Sequence, residues 1–194
     1  MRITRTAVML LLSVALSADA ARSIPPIAKL CGIQVGYDTM ERLEAVLGPG
    51  LPMLGGHPLG ARRWRVPALG ISIWADGFYY DEDGRVADQL WIWRPASPDD
   101  LDIPIAHLLP AQARFMGAVT LGMTRRQVLA ALGSRLPPPR ISRALLPFLP
   151  GDTWTWNSPG FFRINAGNVC RSWKATLTFW RGKLDEIDID VDWQ

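Results

Sequence analysis

Scarcity sets the first limits on this chain of 194 residues. It holds two cysteines, Cys31 and Cys170, and two histidines, His57 and His107. Two thiols and two distant imidazoles make a poor match to the four clustered ligands of a structural zinc site, so no metal site is expected. Nucleophilic catalysis is equally under-supplied, since no nucleophile elbow accompanies either histidine. No cofactor is expected either. Long apolar runs are missing: the stretch at residues 7–16 is about half of the roughly 20 residues that a membrane span needs. Excess charge of one sign is also missing. A net charge of +3 is too slight to imply a nucleic-acid partner. What remains is ordinary for a packed core, with 48% apolar and 20% charged residues arguing against disorder.

The first residues read as a secretory signal. Arg2 and Arg5 form a positive n-region, residues 7–16 an apolar stretch, and Ala18-Asp19-Ala20 an A-x-A cleavage site. Cleavage after Ala20 removes two Arg and one Asp, so the charge goes from +3 to +3 − 2 + 1 = +2. The expected destination is a bacterial periplasm or beyond. A lipid anchor on Cys31 is disfavoured, because Lys29-Leu30 stands where a lipid-attachment signal needs small residues. In an oxidising compartment an even cysteine count points to a Cys31–Cys170 disulfide.

Beyond the signal, three short signatures recur in the same order. Thr39…Leu43…Leu47-Gly48 has the pattern Thr-x-x-x-apolar-x-x-x-Leu-Gly, and Thr124…Val128…Leu132-Gly133 repeats it. Trp64 to Pro67 and Trp156 to Pro159 follow as Trp-x-x-Pro, then Gly84-Arg85-Val86 and Gly182-Lys183-Leu184 as Gly-basic-aliphatic. Repetition in the same order at a period of roughly 85 to 98 residues suggests a duplicated supersecondary unit.

Each unit is expected to open with a helix. The first runs over residues 40–47, capped by Asp38 or Thr39 and stopped by Gly48-Pro49-Gly50. The second has a Thr-x-x-Gln capping box at Thr124 and Gln127, and Gly133 as its stop. Strands are expected at residues 63–66, 70–74, 78–80 and 86–93, then at 153–156, 161–164, 173–179 and 183–193. The final strand alternates Ile187, Ile189, Val191 and Trp193 with Asp188, Asp190 and Asp192, the pattern of a sheet covered on one face and wet on the other. The expected organisation is a signal peptide at 1–20, a lead-in at 21–32, repeat 1 at 33–93, a Pro-rich linker at 94–118 and repeat 2 at 119–194. The expected fold is α+β: two copies of a helix followed by about four antiparallel strands, in a combined sheet with the helices on one face.

Leu121-Gly122-Met123-Thr124, Val128, Leu132-Gly133 and the hairpin Phe179…Gly182-Lys183-Leu184 resemble motifs of two bacterial families. One is the small outer-membrane assembly lipoproteins of the SmpA/OmlA type. The other is the tandem-repeat β-lactamase inhibitor proteins. The second resemblance implies two helix-plus-sheet repeats with a concave aromatic surface that grips an enzyme. Tyr37-Asp38-Thr39 departs from Gly-Met-Thr in the first unit.

The leading function is therefore an exported, non-enzymatic protein-binding module of inhibitor, immunity or envelope-assembly type. Its partner is expected to be another envelope or secreted protein. The alternatives are a binder of envelope polysaccharide or peptidoglycan and a minor hydrolase built on His57. The chain has nine Trp, and Trp and Arg are enriched at interface hot spots. Candidate binding residues are Trp91, Trp93, Trp154 and Trp156, flanked by Arg62, Arg63 and Arg65, with His57 in the Gly55-Gly56-His57-Pro58 loop. Asp188, Asp190 and Asp192 read as charges that discourage edge pairing rather than as calcium ligands.

Overall fold

The structure, a computed structural model, describes residues 25–53, 60–77, 80–81, 84–94, 103–108, 111–143, 151–164 and 168–193. A short hairpin leads, with β1 (Lys29–Leu30) paired to β2 (Ile33–Gln34), and is followed by helix α1 (Met40–Leu47). Then come β3 (Leu51–Pro52), β4 (Arg62–Val66), β5 (Ile71–Asp76), β6 (Tyr80–Asp81), β7 (Gly84–Arg85) and β8 (Gln89–Trp93). Helix α2 (Arg125–Leu132) precedes β9 (Arg140–Arg143), β10 (Gly151–Ile164), β11 (Asn168–Trp180) and β12 (Lys183–Trp193).

Eight of these strands form one antiparallel sheet in the order β3-β4-β5-β8-β12-β11-β10-β9. This overturns the expected pair of equivalent helix-plus-four-strand repeats. The molecule is predominantly antiparallel sheet, with two eight-residue α-helices among the described residues. Of the strand expected at residues 78–80, positions 78–79 lie outside the described residues, and Tyr80 belongs to β6, which pairs with β7 in a separate ladder. In the other half, the strands expected at 153–156 and 161–164 are one 14-residue strand, β10. Pro159-Gly160 reads as a break, but the ladder to β11 absorbs it by a register shift between Pro159 and Phe162. Strands β10, β11 and β12 run 14, 13 and 11 residues, against 5, 6 and 5 for β4, β5 and β8. The short signatures fix local caps and turns; they do not fix strand length.

Because side chains alternate along a strand, the register assigns every residue to one of two faces. One face carries Trp64, Ile73, Ile92, Ile187, Leu177 and Trp154 in a single cross-strand row, all buried. Both helices pack here. Leu43 and Leu47 of α1 and Val128 and Leu132 of α2 join the same core as Trp64 and Leu177. Thr39 caps α1 by accepting from the Arg42 amide, and Thr124 caps α2 in a full capping box with Gln127. Trp64 donates from Nε1 to the Gly48 carbonyl at 2.8 Å, satisfying its one polar atom inside the core. Gly50 is required beside it: a Cβ there would lie 2.6 Å from the indole. The β1–β2 hairpin is anchored by Trp173, whose Nε1 donates to the Val35 carbonyl at 2.6 Å in a buried site. No helix among the described residues is long and apolar enough to cross a membrane.

Candidate binding face

The other face of the sheet has a different chemistry, built by the same registers. One row across it reads Arg63, Trp74, Trp91, Asp188, Thr176, Thr155 and Arg140. The next reads Arg65, Ser72, Trp93, Glu186, Thr178, Thr153 and Ser142. A third holds Asp76, Gln89, Asp190, Lys174 and Asn157. Three tryptophans and Arg63 thus lie on one side of an acidic spine along β12, with a threonine field on the other.

The aromatic side is tightly organised. The Trp91 and Trp93 rings lie 4.4 Å apart between centroids and tilted by 34°. The Arg63 guanidinium stands 5.5 Å above the Trp93 ring, a cation–π arrangement. All three of these side chains are half-buried, as is Trp74.

The spine is electrostatically strained. Burial raises the carboxyl of Asp188 above its ordinary range, and the charge of Asp190 adds to this, while Gln89 and Lys174 oppose it. Gln89 donates from Nε2 to Asp188 Oδ1 at 3.0 Å. Burial likewise raises Glu186, reinforced by Asp188, and raises Asp190 against the pull of Lys174. Thr176 Oγ1, next to Asp188 across the strands, is buried without a hydrogen-bond partner among the described residues. The reading of these aspartates as edge protection is corrected: β12 lies in the middle of the sheet, between β8 and β11, and has no free edge to guard.

The sequence-selected residues do not share one surface. Trp91, Trp93 and Arg63 meet on the open face, and Arg65 lies in the same set of rows with its Nε donating to the Ile103 carbonyl at 2.9 Å. Arg62 faces the other way and pairs with Glu44 of α1 at 3.0 Å. Trp154 and Trp156 belong to the helix-bearing face, each only 4% exposed. Their rings meet edge to face, 6.3 Å apart, and Trp156 Nε1 donates to the Pro137 carbonyl. His57 lies outside the described residues. Cys31 is buried in the β1–β2 turn with no disulfide partner among the described residues, and as a thiol it is pushed up to about 12 by burial. Its expected partner Cys170 has a side chain outside the described set. Among the described residues, no group of three or more His, Cys, Asp or Glu could hold a metal ion.

Trp74 is the residue that the sequence reading missed. Its signal was available: Ile71, Ile73 and Ala75 alternate with Ser72, Trp74 and Asp76, which puts Trp74 on the polar side of β5. Glu186 escaped notice in the same way, one step before the aspartate ladder.

No family model, curated protein or solved structure matches this chain.

Proposed function

We propose that this protein is an exported, non-enzymatic binding module whose partner is another envelope or secreted protein, held on the open face of the sheet. The observation that carries the reading is the cluster of Arg63, Trp74, Trp91 and Trp93 beside the strained carboxylates of β12. Trp and Arg are the side chains whose truncation most often costs binding energy at protein interfaces. A partner that supplies hydrogen-bond donors or cations to Glu186, Asp188 and Asp190 relieves their desolvation as it docks. An inhibitor, immunity or assembly role fits such a surface.

A polysaccharide is the weaker candidate. Sugar rings stack on free aromatic faces, whereas Trp93 is already occupied by Arg63 and packed against Trp91. Export belongs to the same reading and rests on residues 1–20 as a cleaved signal. An oxidised Cys31–Cys170 pair goes with it, and titration of free thiols in unfolded, unreduced protein tests that pairing.

The experiment combines capture and substitution. The mature chain is used to retain partners from an envelope extract, alongside Trp91→Ala and Trp93→Ala forms and a peptidoglycan column. The expected result is a retained protein whose affinity drops by about 2 kcal/mol in each variant, with folding preserved. Retention on peptidoglycan with no protein partner overturns the reading, as does a partner held equally by the variants. A reporter fused after residues 1–24 that stays in the cytoplasm removes the export part.

A further inference from the structure

The sheet ends on β9, which pairs with β10 on one side and has no strand on its other side among the described residues. An edge strand presents a row of unpaired amide and carbonyl groups and so templates the addition of another strand. Beside this edge, on the helix-bearing face, lies a groove of about 350 Å³. Leu129 of α2, Leu136, Pro138, Ile141, Trp154 and Trp156 line it. Two of these apolar residues are well exposed, Leu129 at 50% and Ile141 at 59%. Both stand at the rim of a pocket whose floor is the buried Trp154 and Trp156.

The charges around the edge choose the occupant. Arg140 is exposed on β9 itself. The acid on the adjoining strand, Asp152, is already bound by Arg125. Two of the four residues of β9 are arginine, Arg140 and Arg143, and none is acidic, so a second copy of the strand brings only like charge to this edge, where a carboxylate-bearing segment brings the opposite one.

We propose that β9 and its groove accept an extended acidic segment of a partner protein as a ninth strand, with apolar side chains entering the groove and alternate carboxylates lying beside Arg140. The two requirements follow from strand geometry. Residues of an added strand point alternately to the two faces. Those on the Ile141 side meet Leu129 and Trp154, and those on the other side meet Arg140. The groove lies on the opposite face from the Trp91–Trp93 cluster, and Arg140, though on the open face, stands at the far edge of the sheet, four strands from β8, so the site stands independently of the function proposed above.

The test uses two blocked synthetic peptides, one alternating valine with glutamate and one alternating valine with lysine. Binding is followed by isothermal calorimetry, and thermal melting confirms the fold of each variant. The glutamate peptide is expected to bind about tenfold more tightly than the lysine peptide, a difference of about 1.4 kcal/mol. Arg140→Glu should invert that order, and Leu129→Ser should weaken both. Methylation of alternate peptide nitrogens, which blocks strand pairing without touching charge, should abolish binding. The proposal is overturned if neither peptide binds, if the two bind alike, if Arg140→Glu leaves the order unchanged, or if the N-methylated peptide binds as well as its parent.

Discussion

The two faces of the sheet use tryptophan in opposite ways. On the helix-bearing face, Trp154 sits across from Leu177 and Ile141, against Phe179 at 4.6 Å, and is sealed to 4% exposure. On the open face, Trp91 sits across from Trp74 and Asp188 and stays half-buried. The same residue type, on strands of the same sheet, therefore has two roles that depend on its cross-strand neighbours. Where those neighbours are apolar and a helix lies above, the ring is core. Where they are carboxylate, guanidinium and another indole, the ring is surface.

The largest test of this contrast is truncation on each face. Trp154→Ala removes a buried indole that the surrounding core cannot fully replace, and should cost about 3–5 kcal/mol of stability in urea unfolding. Trp91→Ala removes a ring with water on part of its surface and should cost about 1–2 kcal/mol. Equal losses would mean that the open face is covered in the folded chain and that the distinction between core and surface rings fails.

A smaller effect separates the two helices that cover the apolar face. Thr124 Oγ1 accepts from the Gln127 amide at 3.3 Å while the Gln127 side chain accepts from the Thr124 amide at 2.8 Å. Thr39 accepts from the Arg42 amide at 3.2 Å in a single bond. Thr124→Ala should cost about 1 kcal/mol. Thr39→Ala should cost somewhat less, because it removes only the bond from the Arg42 amide, whereas Thr124→Ala also removes the bond that the Thr124 hydroxyl donates to Gln127 Oε1 at 3.0 Å. The reverse order in matched unfolding curves would show that the reciprocal box contributes little to holding α2 over Trp154 and Trp156.

The helices were legible because their signals are local. Thr-x-x-Gln and the glycines after Leu47 and Leu132 act within one turn, and both helices fall where those residues place them. Face assignment was only half legible. Period two tells that Trp91 and Trp93 share a face, and that Trp154 and Trp156 share one. It does not tell whether the two pairs share the same face, because that depends on registers across β8, β12, β11 and β10. The same long-range pairing moved β12 from a supposed edge to the centre and joined two expected strands into β10. Equal repeats failed for this reason: matching caps and turns recur in the chain, but the apolar alternation continues much further through residues 151–193 than through 62–93.

The smallest expected effect, and the one with the opposite sign, concerns the acidic spine. The folded carboxyls of Asp188, Glu186 and Asp190 all lie above their ordinary values, so over that interval the folded state holds more protons than the unfolded state. Stability from these groups therefore rises as pH falls from neutral toward the usual carboxylate range, and is lost as pH rises through the raised folded values. Asp188 faces Gln89, Asp190 and Lys174 and adds its own charge to the burden on Glu186. Asp188→Asn removes that charge and retains a carbonyl oxygen for the Gln89 amide, whose bond is 3.0 Å long. The variant should melt at the same temperature or slightly higher near pH 8, and its gain in stability on acidification should be shallower than in the parent. The core face offers the control, since Ile189→Val on the neighbouring buried position should lower stability without changing the pH slope. A variant that is destabilised near pH 8 with an unchanged slope would mean that the Asp188 carboxylate is favourably held by Lys174 after all. The open face would then be an electrostatically satisfied surface, and the argument that a donor-bearing partner completes it would lose its footing.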